Sequence, residues 1–221
     1  KYGSIWTTLF VPSEIIFAMK LQPFSLEIAA ALCSKFGQSS HSLSEADLAA
    51  IPTDVCSFHR TALGNAYMGV YPRPLFLAGT STICDSNIKT IKICESITGK
   101  ESMIVDVPYE MNDHSVKFLT NQLIALTKRM EEVTGKKMEK HALSEAIELS
   151  NQAREKMIEL NHVRQDPLSP LAGGDGLGMM VPSHYLAGSQ YAVDFYTGIV
   201  DELKGMIATR RKNGEVADEK E

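Results

Sequence analysis

The sequence has no uninterrupted apolar run approaching the roughly 18 residues of a membrane-spanning helix. Its opening Lys1, Tyr2 and Gly3 lead straight into a strand-like segment, with none of the layout of a secretory leader. Position 1 is not methionine, so a trimmed or partial start is expected. Basic charge is scarce: 22 Lys and Arg stand against 27 Asp and Glu, for a net charge of −5. No basic stripe of the kind nucleic-acid phosphates require is visible, which argues against a nucleic-acid partner. Cysteine is sparse too. Four residues (Cys33, Cys56, Cys84, Cys94) in 221, with no CxxC pair, do not make a secreted disulfide framework, and a reducing, cytoplasmic location is expected. The six histidines (His41, His59, His114, His141, His162, His184) form no HxxxH or HxH group, which argues against a zinc site built on histidine alone. There is no internal repeat. The Gly-rich stretch 169–181 fits neither a GxGxxG fingerprint nor a phosphate loop ending in GK[ST], and reads as a linker without a nucleotide.

What remains is an ordinary globular composition, 44% hydrophobic and 22% charged, long enough to bury a real core. Residues 4–10 are β-prone and run into Pro12 and Ser13, a helix start followed by the apolar run 15–19. Residues 26–36 carry apolar side chains at helical spacing up to Gly37. The Ser-rich stretch 38–50 reads as a loop with a short helix. Residues 56–67 are expected to be helical, with Ala62, Leu63 and Ala66 inward. The short apolar runs 74–78 and 102–107 are read as parallel strands buried on both faces, with a helix from Ile88 to Gly99 between them. Long amphipathic helices follow over 116–133 and 139–163, then a last helix over 185–209 and a charged tail over 210–221. The fold class is therefore α/β, a flavodoxin- or Rossmann-like parallel sheet flanked by helices and followed by long helices. In such sheets ligands sit outside the C-terminal ends of the strands, where the loop 80–86 falls.

That loop, Thr80-Ser81-Thr82-Ile83-Cys84-Asp85-Ser86, is the most informative stretch. Its small polar residues leave backbone N–H groups free, Cys84 offers a soft ligand, and the following helix N-terminus favours a thiolate or an anion. Asp85 reads as a helix cap or as a catalytic carboxylate. Cys56 opens the preceding helix in the same manner. Spacing alone leaves two readings of the cysteines open, four free thiols or a metal site on Cys56 and Cys84. Cys33 and Cys94, inside amphipathic helices, read as core thiols. His59, one turn after Cys56, and its neighbour Arg60 face either the site or solvent. Glu14 is a helix cap or a substrate contact, and Tyr109 and Glu110 end a strand on the ligand side. No Ser/His/Asp grouping emerges, and the methionine-rich patches read as packing.

Three segments together resemble the N-terminal half of the 2-hydroxyacyl-CoA dehydratase / benzoyl-CoA reductase subunits. Val11-Pro12-Ser13-Glu14-Ile15-Ile16-Phe17-Ala18-Met19-Lys20-Leu21-Gln22-Pro23 is similar to the family's opening motif, P-x-E, two apolar residues, x-A, and a closing proline. Cys56-Ser57-Phe58-His59-Arg60-Thr61-Ala62-Leu63-Gly64 resembles the segment holding the first cluster cysteine, and Thr80-Ser81-Thr82-Ile83-Cys84-Asp85 the one holding the second. Pro108-Tyr109 fits the proline after the next strand. The likeness extends over residues 4–215; the cysteine segments are its specific part.

The resemblance implies two-domain α/β subunits with a [4Fe–4S] cluster between the domains on three cysteines, which here would include Cys56 and Cys84 as metal ligands. Glu14, His59, Thr82, Asp85 and Tyr109 would surround the substrate or the cluster. It further implies pairing with a sister subunit or a second copy, an acyl-CoA substrate, and an ATP-dependent activator protein as electron donor. In the dehydratases the delivered electron makes a ketyl radical anion of the thioester, the 2-hydroxyl leaves, and the electron returns; in the reductases it enters an aromatic ring. A small-molecule reductase on the same cluster platform and a non-catalytic scaffold subunit are the alternatives. This sequence departs from the family in length. Members run to about twice its size, and the third cysteine lies in a second α/β domain absent from this chain. The expected organisation is a cluster-binding domain over 4–110, a long-helix region packing on it over 111–209, and a charged linker over 210–221 toward the second domain. The chain alone is expected to be inactive.

Overall fold

Ile5, Trp6 and Thr7 are buried in β1 (Ser4–Thr7), the centre from which the sheet is built. A computed structural model of the chain describes residues 3–216; residues 217–221, the end of the expected linker, lie outside the described residues. Four strands, β1, β2 (Gln22–Ser25), β3 (Pro74–Thr80) and β4 (Ser102–Val105), form a wholly parallel sheet in the order β2-β1-β3-β4. The registers pair Trp6 with Phe24 on one side and with Leu77 on the other, and Ala78 with Met103. β3 is central and buried along nearly its whole length, as a strand covered on both faces must be.

The helices of the sheet unit are α2 (Leu26–Lys35), α3 (Ser39–Leu48), α4 (Ser57–Tyr67), α5 (Asp85–Thr98) and α6 (Asp113–Thr134). One core cluster joins Trp6 and Leu77 of the sheet to Leu26 and Ala30 of α2, Ala46 of α3, Ala62, Leu63 and Ala66 of α4, and Ile91 and Cys94 of α5. Trp6, Phe24 and Tyr71 pack as an aromatic group, and the Trp6 indole N–H donates to the carbonyl of Pro72 at 2.8 Å. Two glycines set how closely the layers approach. A Cβ on Gly79 would stand 2.8 Å from Ile104 Cδ1 and 2.9 Å from Ile91 Cγ1; one on Gly64 would stand 1.8 Å from the Ser42 carbonyl oxygen. These positions need glycine because neighbouring elements occupy the side-chain space.

The expected α/β class and parallel pairing of the two apolar strands are observed, with differences in detail. The stretch 38–50 is a ten-residue helix, α3, rather than mostly loop, because Ala46 and Ser42 are buried against its neighbours. The edge strand β2 carries Pro23, which a central strand would not tolerate, and its four residues leave no period to read. Strand β4 stops at Val105, two residues before its expected end. α6 begins at Asp113, where the Asn112 side chain caps it by accepting from the Ser115 N–H, and ends at Gly135 with φ 68°.

The chain divides into two units, Lys1–Pro12 with Met19–Glu139, and Ser13–Ala18 with Lys140–Glu221. α6 touches β3 and β4 and buries Leu126 and Met130 completely, so it belongs with the sheet, whereas the sequence placed a boundary at residue 110. The second unit contains α1 (Ser13–Ala18), α7 (Lys140–Val163), α8 (Gly173–Gly178), α9 (Val181–Tyr185) and α10 (Gln190–Lys212). α7 packs against α10 through Ala153, Leu160, Ala192, Tyr196, Val200, Leu203 and Ile207. The Gly-rich stretch read as linker thus contains a short helix, and Tyr196 beneath it donates its hydroxyl to the carbonyl of Met179 at 2.6 Å. Ser13 ties α1 to the same unit by donating to the carbonyl of Ala187 at 2.9 Å. No helix among the described residues is long and apolar enough to cross a membrane.

Candidate functional site

The candidate site lies at the C-terminal ends of the parallel strands, where the loop after β3 is held from both sides. The Ser81 N–H donates to the Val105 carbonyl at 3.0 Å, and the Ser81 hydroxyl donates to Asp106 Oδ1 at 2.7 Å while accepting the Val107 N–H at 2.8 Å. Asn87 Nδ2 reaches back to the Thr82 carbonyl at 3.0 Å. Between these anchors Ile83 is forced to φ 76°, a conformation disfavoured for a β-branched residue, with its side chain turned to solvent.

Cys84 follows in an extended conformation and is the N-cap of α5: its sulfur accepts the Ser86 N–H at 3.3 Å. The expected cap, Asp85, is instead the first helical residue, and its side chain is exposed. The cap needs an acceptor aimed back at the second N–H of the helix, and extended backbone at position 84 delivers the sulfur there. Cys56 is likewise the N-cap of α4, exposed, with no side-chain cap hydrogen bond. Both cysteines thus open helices, at the ends where backbone N–H groups favour negative charge.

His59 links the two helix starts. It lies on the first turn of α4, 4% exposed, with Nε2 3.9 Å from the Cys84 sulfur and Nδ1 2.9 Å from the hydroxyl of Thr90 on α5. The N-termini of α4 and α5 therefore lie side by side, with Cys56 one turn from a residue that touches Cys84. Burial disfavours the charged imidazolium and shifts the His59 ring downward from its ordinary value. Arg60 turns the other way and pairs with Asp47 of α3.

Other residues expected at the site are placed as follows. Thr82 is half-buried in the β3–α5 loop, offering its carbonyl to Asn87. Tyr109 and Met111, beyond β4, are fully solvated, and Glu110 between them is exposed. Glu14 belongs to the second unit, where Oε1 accepts from the Ser150 hydroxyl at 2.7 Å. Cys94 is a core thiol, fully buried, whereas Cys33 is only half-buried, its sulfur 3.6 Å from the Ser42 hydroxyl.

Two residues escaped the sequence reading. Thr90 sits mid-helix among isoleucines, and only its buried position marks it. Glu27 is a carboxylate in the otherwise apolar start of α2, 7% exposed, and that interruption of the run was the available signal. As a metal site, the pair of cysteine sulfurs is soft enough for iron–sulfur ligation. No group of three or more His, Cys, Asp and Glu among the described residues is placed to hold a metal ion. What the described residues supply is two thiols, Cys56 and Cys84, each at the start of a helix.

Comparison with known proteins places the chain in a family. The family model for 2-hydroxyglutaryl-CoA dehydratase, D-component, matches residues 8–221. The alpha subunit of (R)-phenyllactyl-CoA dehydratase from Clostridium sporogenes is 22% identical over 213 residues, covering 92% of this chain and 52% of that subunit. The alpha subunit of (R)-2-hydroxyglutaryl-CoA dehydratase from Acidaminococcus fermentans is 24% identical over 137 residues, 60% of this chain and 29% of that subunit. The chain thus spans about half the length, or less, of the curated relatives it matches. With a family match over nearly its whole length, the chain belongs to the 2-hydroxyglutaryl-CoA dehydratase D-component family.

Proposed function

We propose that this chain is part of an iron–sulfur subunit of a 2-hydroxyacyl-CoA dehydratase, with Cys56 and Cys84 as two of three thiolate ligands to a [4Fe–4S] cluster. The observation that carries this reading is His59, one turn from Cys56, in contact with the Cys84 sulfur, which sets the two cysteine-capped helix starts side by side at the ligand end of the sheet. The third ligand would come from beyond this chain. When bound, the cluster supplies single-electron chemistry to an acyl-CoA thioester. The residues of this chain would hold it at two helix ends, where backbone N–H groups offset the cluster's negative charge. A sister subunit or a second copy would complete the assembly, and an ATP-dependent activator would donate the electron. The relatives named above as dehydratase alpha subunits support the substrate class.

Anaerobic reconstitution with iron and sulfide tests the reading, on this chain and on the full-length gene product, by metal analysis and thiolate-to-iron absorption. Uptake of about four irons by the full-length protein, lost in Cys56→Ser or Cys84→Ser, is the expected result. Failure of the full-length protein to bind iron sinks the reading and leaves a scaffold subunit of the same fold.

A further inference from the structure

Threonines inside the helices of the sheet unit mostly satisfy their hydroxyls on their own backbone. Thr98 of α5 donates to the carbonyl of Cys94 at 2.7 Å; Thr120, Thr127 and Thr134 of α6 donate in the same way to Val116, Leu123 and Met130. Each closes onto the carbonyl four residues back, the ordinary partner of a helical threonine. Thr90 of α5 does not. Its hydroxyl, 2% exposed, lies 2.9 Å from His59 Nδ1. With Nδ1 as the partner of the hydroxyl proton, Nδ1 accepts, and the ring proton of the neutral imidazole must sit on Nε2. Nε2 is the atom that faces the Cys84 sulfur, at 3.9 Å. The same sulfur receives the Ser86 N–H at 3.3 Å.

We propose that His59, held in one tautomer by Thr90, is a positioning residue for Cys84, donating its Nε2–H to the sulfur. This rests on the reading of Cys84 as a cluster ligand for its consequence, though not for its geometry. Two donors on two helices, Ser86 N–H from α5 and His59 Nε2–H from α4, fix where the sulfur points and leave its remaining electron pairs for a metal. Because His59 rides on the helix that Cys56 opens, the same contact sets the spacing of the two helix starts. Hydrogen bonds to a cluster thiolate favour the reduced, more negative state, so the pair would hold the reduction potential above the value it takes without that bond. A partner that fixes both the tautomer and the ring plane is the usual outer support of a site of this kind.

Nuclear magnetic resonance of ring-15N-labelled histidine in the full-length gene product tests the geometry directly, with His59 assigned by its loss in His59→Asn. The expected spectrum has a protonated Nε2 and a bare Nδ1. Thr90→Val should convert it to a mixture of tautomers and Thr90→Ser should restore it, a rescue that loss of packing alone would not give. A proton on Nδ1 in the unmodified protein, or a spectrum unmoved by Thr90→Val, overturns the proposal. In the iron-reconstituted protein Thr90→Val should also lower the cluster's potential at unchanged iron content, and an unchanged potential counts against it. Absence of iron uptake would remove the cluster reading while the tautomer spectra still decide the role of His59.

Discussion

Glu27, in the first turn of α2, accepts the backbone N–H of Leu9 on one carboxylate oxygen at 3.2 Å, while its other oxygen is buried without a partner. The bond joins the segment after β1 to the helix after β2 at the ligand end of the sheet. Desolvation pushes the carboxyl up to about 7, opposed only in part by the hydrogen bonds from Leu9, Ser25 and its own backbone.

The consequence is a pH-dependent stability with a definite sign. The folded state binds this proton more tightly than the unfolded chain, whose carboxyl titrates near 4.5. Stability therefore falls as pH rises from about 4.5 to about 7, and the cost is complete above that window, of order 3 kcal/mol. Glu27→Gln, which keeps an acceptor for Leu9, should raise the melting temperature at pH 8 and leave it nearly unchanged at pH 4.5. Equal shifts at both pH values would show that the charge is not what costs.

The four thiols should separate by alkylation rate. Cys94 is fully buried, its thiol pushed up to about 12 by burial and by the nearby Glu27, whereas Cys56 is exposed. Iodoacetamide at pH 8 followed by peptide mapping should find Cys56 modified first and Cys94 last. Modification of Cys94 as fast as Cys56 would contradict the core packing around α5.

Gly64 and Gly198 make opposite predictions for the same substitution. An alanine Cβ at 64 would collide with the Ser42 carbonyl where α3 crosses α4, and should cost about 3 kcal/mol or more, since backbone rather than a flexible side chain must move. At 198, inside α10, nothing lies within 4 Å of the new Cβ, and alanine should stabilise by about 0.5–1 kcal/mol. Chemical denaturation of both variants measures the two signs.

Ile83→Asn should stabilise the chain by about 1 kcal/mol. The position has φ 76° and is 70% exposed, so the substitution relieves backbone strain while giving up little apolar burial. No gain in thermal unfolding would mean that the strain is offset by contacts of the isoleucine side chain.

Much of this could be read along the chain. The 3.6-residue spacing of apolar side chains marks α2, α5, α6 and α7, with ends off by three residues or fewer, and the short apolar runs mark β3 and β4 as parallel strands covered on both faces. Cys84 directly after a strand and before a helix placed it at the C-terminal end of β3, and the cysteine segments carried the resemblance to the family. Periodicity reports one face of one element. It is blind to a four-residue edge strand such as β2 and to a polar helix such as α3, whose place is decided by what packs on Ser42 and Ala46.

The sequence by itself determined the fold class, the family and the two cysteines that open helices, because these depend on local spacing and on residue type. Only the tertiary structure decided which groups surround them. It turned Arg60 to Asp47, gave the cap of α5 to Cys84 rather than Asp85, and set Thr90 against His59 across 31 residues of chain. It also put Glu27 under Leu9, where loss of solvent moves a carboxyl that any local reading would leave ordinary. Hydrogen-bond partners and desolvation depend on which elements end up adjacent, and no spacing along the chain encodes that.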